Sequence, residues 1–271
     1  MNRTTIIAEI GENHVGDMDR ARRMVVEAAR AGVDRVKVQS FLADEVDPQD
    51  SEKEWFAKVQ LSDEMHFELR RLAQENGVGF LSAPFSLDRA RFLCQEMGLR
   101  EIKIASSELL NFPLLDYVAH SAQTVFLSTG LATLKEIAQA LGRLRSVPRV
   151  VVLHCVTAYP AADHEANLLA IRALQEAFPN LEVGYSDHTI GIAAPVAAVA
   201  LGATVIEKHF TLDKGLPGTD HVLSVDPLEL RQMVEMIRRV ERLLGVSEKK
   251  PTPRELEVID LVRGRFPKNG A

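Results

Sequence analysis

Along almost the whole chain, short apolar runs rich in β-branched residues alternate with longer segments of helical spacing, and the alternation repeats eight times. The expected strands are residues 5–10, 35–41, 79–84, 101–106, 124–129, 149–155, 181–186 and 204–210. Between them the apolar positions recur every three or four residues. In residues 20–31, Ala21, Met24, Val25, Ala28 and Ala29 share one face, and Arg22, Arg23 and Arg30 lie mostly off it. Gly32 and Gly202 each follow such a segment and precede a strand, where a left-handed stop is useful. Strands buried on both faces read as unbroken apolar runs, as Val150-Val151-Val152-Leu153 does. Eight consecutive βα units predict one closed parallel sheet, an α/β TIM (β/α)8 barrel, a fold of roughly 250 residues, and the chain has 271. An open doubly wound sheet is the alternative. Against it, the turn after the first strand, Gly11-Glu12-Asn13-His14-Val15-Gly16, lacks the glycine spacing of a dinucleotide-binding turn. The barrel is expected over residues 1–245, with residues 246–271 forming an exposed tail that carries one short helix.

Composition narrows the function. With 46% hydrophobic and 26% charged residues the chain is an ordinary globular sequence. A net charge of −6 offers no electrostatic footprint for nucleic acid. No cluster of Lys and Arg forms a membrane anchor, and no run approaches the ~20 apolar residues of a membrane span. Residues 5–8 are too short an apolar run for a signal-peptide core. Cys94 and Cys155 stand far apart in apolar surroundings and imply no disulfide framework. Together these features predict a cytoplasmic protein without nucleic-acid or membrane partners.

In a barrel the chemistry gathers where the strands end and the βα loops begin. The strand ends offer Glu9, Asn13 and His14; Lys37 and Gln39; Ser82; Lys103, Ser106 and Glu108; Ser128 and Thr129; His154, Thr157 and Tyr159; Ser186, Asp187 and His188; and Glu207, Lys208 and His209. A lysine at a strand end is ordinarily a solvated terminus, but Lys37 and Lys103 lie inside apolar strands, where an unpaired ammonium is costly. Aimed inward beside Ser82, Ser106 and Ser128, they would form a receptor for a phosphate and a carboxylate. His188 and His209 close neighbouring strands near Glu9, Asp187, Glu207 and Asp220. They are either packed histidines or the two nitrogens of an open site for Mn²⁺, Fe²⁺ or Zn²⁺. His66 falls in a polar helical stretch and is expected at the surface. Cys155 has no evident base partner.

Taken in order, Ala8-Glu9-Ile10-Gly11-Glu12-Asn13-His14-Val15-Gly16, Val36-Lys37-Val38-Gln39, Lys103-Ile104-Ala105-Ser106, Leu127-Ser128-Thr129-Gly130, Leu153-His154-Cys155 with Tyr159-Pro160, Ser186-Asp187-His188-Thr189, Glu207-Lys208-His209-Phe210-Thr211 and Pro217-Gly218-Thr219-Asp220-His221 resemble the sialic acid synthase family, from the first strand to the last. The resemblance implies an enzyme that condenses phosphoenolpyruvate with N-acetylmannosamine or a related 2-acetamido sugar. The products would be a nine-carbon 2-keto-3-deoxy acid and phosphate. It implies catalytic roles for Glu9, Lys37, Lys103 and Glu108. Gln39, Ser82, Ser106, Ser128, Thr157, Tyr159, Ser186, Lys208 and Asp220 would bind substrate. It implies that His188 and His209 hold a divalent metal, Mn²⁺ first and Mg²⁺ or Co²⁺ as alternatives, and that the chain forms a homodimer.

The sequence also departs from that family. The antifreeze-like domain that usually follows the barrel is expected to be absent, residues 42–60 look shorter than the family's loop beside the sugar, and Ala83 and Thr157 replace Thr and Asn or Ser. The alternatives are a synthase with another aldose acceptor, an aldolase or epimerase with Lys37 or Lys103 as a Schiff-base amine, and a non-catalytic barrel.

Overall fold

The computed structural model describes residues 3–266. Its first half runs β1 (Thr5–Glu9), α1 (Met18–Ala31), β2 (Arg35–Ser40), α2 (Lys53–Val59), α3 (Asp63–Glu75), β3 (Gly79–Pro84), α4 (Leu87–Arg91), β4 (Glu101–Ile104) and α5 (Phe112–Ser121). The second half runs β5 (Thr124–Ser128), α6 (Leu134–Arg143), β6 (Arg149–Cys155), α7 (Ala170–Ala177), β7 (Glu182–Asp187), α8 (Ala193–Ala200), β8 (Val205–His209), α9 (Pro227–Leu244) and α10 (Pro253–Gly264). All eight expected strands form, and all ladders are parallel in the order β3-β2-β1-β8-β7-β6-β5-β4. β3 and β4 lie side by side and bring the ring nearly to closure. The approach of β3 to β4, the two end strands of this order, excludes the doubly wound alternative, an open sheet whose edge strands lie far apart.

Period-two alternation divides each strand between two cores. Ile6, Ala8, Val36, Val38, Ile102, Ile104, Val125 and Leu127 face outward into the large core shared with the helices. Ile7, Leu81, Phe126, Val151, Leu153 and Val205 face inward and plug the lower half of the barrel. Beneath the plug, Arg35 grips Glu101 through two bonds of 2.8 Å, and Arg149 grips Glu182 at 2.7 and 2.9 Å. Both guanidinium carbons lie just under 6 Å from the Phe126 ring centroid, so two bidentate ion pairs and one aromatic ring seal the floor. With its floor closed, the barrel opens at the C-terminal ends of the strands.

The helices follow from their caps and stripes. In α1 the Asp17 side chain accepts from the Arg20 N–H at 3.0 Å, Ala21, Met24, Val25, Ala28 and Ala31 are buried, and Gly32 ends the helix at φ 89°. α3 corrects one expectation. His66 is fully buried, its Nδ1 2.9 Å from the Ser62 carbonyl and its ring edge-on to Phe92 at 5.5 Å. The polar neighbours of His66 lie on the other faces of the helix, and one side of α3 must pack inward whatever its mean polarity. α10 is exposed along its length, and residues 267–271 of the expected tail lie outside the described residues. Among the described residues, no helix is long and apolar enough to cross a membrane.

Candidate active site at the barrel mouth

A cavity of about 460 Å³ opens at the C-terminal end of the barrel. Its base comes from inward strand positions directly above the apolar plug: Glu9, Lys37, Gln39, Lys103, Ser128, Ser186, Glu207 and His209. These charges occupy the parity that the lower half of each strand gives to Ile7, Phe126 and Val205. A buried charge is tolerated only when it is paired, and here two lysines meet two carboxylates. Lys37 Nζ lies 2.8 Å from Glu9 Oε2 and 2.9 Å from Glu207 Oε1, and Lys103 Nζ lies 3.5 Å from the same Glu207 oxygen. Ser186 Oγ donates to that oxygen at 3.0 Å.

Two cations therefore converge on one carboxylate. Burial would raise the Glu207 pKa, but Lys103 and Lys37 outweigh it and hold the group down at about 2. Burial is the largest influence on Lys37 and, with repulsion from Lys103, outweighs Glu207 and lowers its pKa to about 8. The Ser128 hydroxyl and Glu207 Oε2 are buried without a hydrogen-bond partner. Buried polar atoms of this kind are rare in a finished core. Clustered at the base of an open cavity, they fit groups that a ligand completes.

The upper wall adds the two imidazoles. The His188 and His209 rings lie 5.3 Å apart, and the Tyr159 ring packs 4.1 Å from His188 and 6.1 Å from His209. His188 Nδ1 lies 2.6 Å from the Val156 carbonyl, which fixes the proton there and leaves Nε2 with the lone pair. Burial opposes protonation of both rings. In His188 the Cys155 thiol and the Val156 carbonyl outweigh burial and raise the pKa, whereas in His209 burial, His188 and Lys37 act together and drive it well below the ordinary range. His209 Nδ1 is buried without a hydrogen-bond partner, although Asp220 Oδ2 lies 3.3 Å away. Among the described residues no group of three or more His, Cys, Asp or Glu side chains forms a closed metal cage. Two imidazoles alone offer at most two protein nitrogens, and a divalent cation held there would take its other positions from water and substrate.

Most residues singled out from the sequence meet in this cavity: Glu9, Lys37, Gln39, Lys103, Ser106, Ser128, Thr157, Tyr159, Ser186, His188, His209 and Asp220 all line it. Ser82, Glu108 and Lys208 do not. Ser82 pairs in register with outward-facing Val38, and the neighbouring Ala83 takes the cavity position. Lys208 is fully buried on the outer parity of β8, bound to Asp187 Oδ2 at 2.7 Å and to the Thr189 carbonyl. Asp187 also accepts from Tyr185 Oη at 2.8 Å, so this neighbour of His188 belongs to the outer layer rather than to the cavity. Glu108 lies past the end of β4, in the turn before α5, where it accepts from Asn111 Nδ2 at 2.8 Å.

Asn13 and His14 stand outside the cavity. Asn13 Nδ2 ties the first loop to the Phe210 carbonyl at 2.9 Å and to Ser224 Oγ at 2.8 Å. The His154 ring turns outward to the Ala166 carbonyl at 2.9 Å. Cys155 lines the cavity with Sγ 3.9 Å from His188 Nδ1, but that nitrogen is already committed to Val156.

Two groups of lining residues escaped the reading of the sequence. Glu207 is named in the sequence at the end of the eighth strand and beside the histidines, but no linear signal reveals that two lysines share it. Glu12, Glu52, Phe41 and Phe85 belong to the loops after β1, β2 and β3 and Phe56 to α2, segments whose paths alternation does not predict. Gly130, quoted in the strand-five motif without a role, is a packing position beside the cavity. A Cβ there would fall 2.1 Å from Thr157 Oγ1 and 2.8 Å from Ser106 Oγ, and its N–H donates to Ser106 Oγ at 3.0 Å. The site needs a residue without a side chain at that point.

The profile of the NeuB family matches residues 24–249. The N,N'-diacetyllegionaminic acid synthase of Legionella pneumophila is 40% identical over 95% of this chain and 78% of its own. The human N-acetylneuraminate-9-phosphate synthase is 37% identical over 93% of this chain and 74% of its own. The crystal structure of the N-acetylneuraminic acid synthetase from Leptospira borgpetersenii in complex with citrate superposes with a TM-score of 0.91 at 35% identity, covering 97% of this chain and 92% of that one.

Proposed function

The chain belongs to the NeuB family, and we propose that it is an enzyme that condenses phosphoenolpyruvate with a 2-acetamido sugar to give a 2-keto-3-deoxy sugar acid and phosphate. The observation that carries this reading is the meeting, in one cavity, of a paired-lysine base and two adjacent imidazoles. Lys37 and Lys103, with Ser106, Ser128 and Ser186, would receive the phosphate and carboxylate of phosphoenolpyruvate. His188 and His209 would hold a divalent cation, Mn²⁺ first. When bound, that cation supplies the Lewis acidity that polarises the sugar aldehyde.

Glu9 is buried within ion-pair distance of Lys37, which places its carboxylate beside the anion subsite. In the proposed reaction C3 of phosphoenolpyruvate bonds to the aldehyde carbon, the aldehyde oxygen takes a proton, and water adds at the cationic C2. Loss of phosphate from the resulting tetrahedral centre leaves the 2-keto group. Glu9 would orient the water, accept its proton, or offset the charge at C2. Lys37 serves here as a cation. At neutral pH a group titrating near 8 is mostly protonated, and two carboxylates share its proton.

Residues 1–245 would form the catalytic barrel and residues 246–271 its tail. A homodimer is also proposed, supported by exposed apolar side chains on the loops around the mouth, among them Leu131, Leu169 and Ile190. Sedimentation of a monomer at working concentration would remove that support.

The decisive assay is phosphate release from phosphoenolpyruvate with Mn²⁺, with and without N-acetylmannosamine, using His188→Ala as control. Release that requires sugar, metal and His188 is the expected result. Sugar-dependent release that persists in chelator and in His188→Ala would overturn the metal-assisted reading.

A further inference from the structure

The alternation of faces that aims His188 and His209 into the cavity sends the residue before each of them outward. Val183 and Tyr185 on β7 and Ile206 on β8 lie in the large core between sheet and helices. The next outward step of each strand puts a full charge into that layer, Asp187 on β7 and Lys208 on β8. Both side chains are fully buried, the two residues are partners in the parallel register, and Oδ2 and Nζ lie 2.7 Å apart. Such a pair is a poor source of stability, because desolvation offsets most of its attraction and apolar replacements are often neutral or stabilising. Near the same ends of β1, β2, β4 and β5 the outer layer is apolar, with Ala8, Val38, Ile104 and Leu127. What sets Asp187 and Lys208 apart is what their bonds hold.

Those bonds converge on Thr189, the residue after His188. Asp187 Oδ1 accepts from the Thr189 N–H at 2.9 Å and from Tyr185 Oη at 2.8 Å, and Lys208 Nζ donates to the Thr189 carbonyl. Asp187 thus closes a short arch with His188 at its apex, and Lys208 reaches across from β8 to grip the far side of the same arch. The His188 carbonyl accepts from the Ala161 N–H at 3.0 Å, and the His209 carbonyl accepts from the Val225 N–H at 2.9 Å. The side chain before His209 is therefore bonded to the backbone after His188, and a shift at either strand end passes directly to the 5.3 Å spacing of the two rings.

Resting on the metal-assisted reading of this site, we propose that Asp187 and Lys208 are positioning residues, whose ion pair on the outer face of the sheet sets the spacing of the His188 and His209 rings and thereby the affinity for a divalent cation. Groups that orient metal ligands from behind govern affinity without touching the metal. Here the orientation acts through the backbone of the arch, and the pair itself stays out of the cavity.

The test titrates the full chain with Mn²⁺ by calorimetry, with phosphoenolpyruvate affinity and urea stability measured on the same variants. Asp187→Asn/Lys208→Met removes both charges, keeps an acceptor for the Thr189 N–H and deletes the bonds that cross from β8. Because it leaves no unpaired buried charge, it should recover much of the stability that Lys208→Met alone loses. It should nevertheless bind Mn²⁺ about tenfold or more weakly than wild type, the low end for groups that orient metal ligands, with phosphoenolpyruvate affinity unchanged. Recovered stability together with wild-type Mn²⁺ affinity overturns the inference and leaves the synthase reading intact. So does an equal loss of Mn²⁺ and phosphoenolpyruvate affinity, which marks a general loosening of the barrel mouth. If the double variant does not fold, Asp187→Asn takes its place. It should lose about threefold in Mn²⁺ affinity, the scale of trading a charge-assisted bond for a neutral one, and no loss there overturns the inference as well. If wild type binds no Mn²⁺, or His188→Ala binds it equally well, the metal reading and this inference fall together.

Discussion

Gly130→Ala perturbs the candidate site at one atom. Gly130 has a backbone conformation open to any residue, so the substitution introduces a methyl group and no dihedral strain. That methyl would stand 2.1 Å from Thr157 Oγ1 and 2.8 Å from Ser106 Oγ. Both oxygens end rotatable side chains and can turn away about χ1, while Ser106 Cβ, 3.3 Å from the new methyl, must give by a few tenths of an ångström. The relaxation sacrifices the bond from Gly130 N–H to Ser106 Oγ at 3.0 Å. A net hydrogen bond is worth about 1 kcal/mol. Holding the displaced side chains off their preferred rotamers adds about 0.5–1.5 kcal/mol. The total is about 2 kcal/mol, or about thirtyfold in affinity at ~1.4 kcal/mol per decade.

Because Ser106 and Thr157 both line the cavity, most of this loss should fall on phosphoenolpyruvate binding, measured by calorimetry on the variant. Thr157→Ala removes the nearer obstacle, so Gly130→Ala/Thr157→Ala should recover about half of the lost free energy, a coupling that a double-mutant cycle reads directly. Unchanged affinity in Gly130→Ala, or strict additivity in the double variant, would refute the packing argument.

Further outcomes follow from the buried charges. Because burial brings the Lys37 pKa down to about 8, its charge is lost at lower pH than an ordinary lysine's. The KM for phosphoenolpyruvate should stay flat below that pH and climb up to tenfold per unit above it, and Lys37→Ala should flatten the climb. The Glu207 pKa is depressed from 4.5 to about 2 in the folded chain, so its stabilising contribution is present above 4.5 and disappears as the pH falls toward 2. Urea denaturation of Glu207→Gln across that window should show a weaker pH dependence than wild type. Lys208→Met leaves fully buried Asp187 without its cation and should cost about 3–5 kcal/mol of stability, with the KM for phosphoenolpyruvate unchanged in the folded protein. A selective rise in that KM would restore Lys208 to the substrate site.

The barrel was legible because its two signals are local. Apolar alternation reports the strands, and lysines embedded among valines and isoleucines report that a costly charge has an inward destination. An ordered series of short motifs from the first strand to the eighth places Glu9, Lys37, Lys103, His188 and His209 at one end of the barrel. The tertiary structure decided what depends on parity and on loop paths. One step of register separates Ala83, in the cavity, from Ser82, in the outer layer, and one step separates Glu207 from Lys208.

Both members of each pair sit at strand ends, and the linear sequence does not mark the face that each occupies there. His66 is buried although its neighbours in sequence are polar, since a helix places residues by angle rather than by mean polarity. The sharing of Glu207 by two lysines joins β2, β4 and β8, and the bond from Trp55 to Glu12 joins α2 to the loop after β1. Each is a contact between residues far apart in the chain. Such contacts arise when the ring brings the strand ends together, and no spacing rule reaches across them.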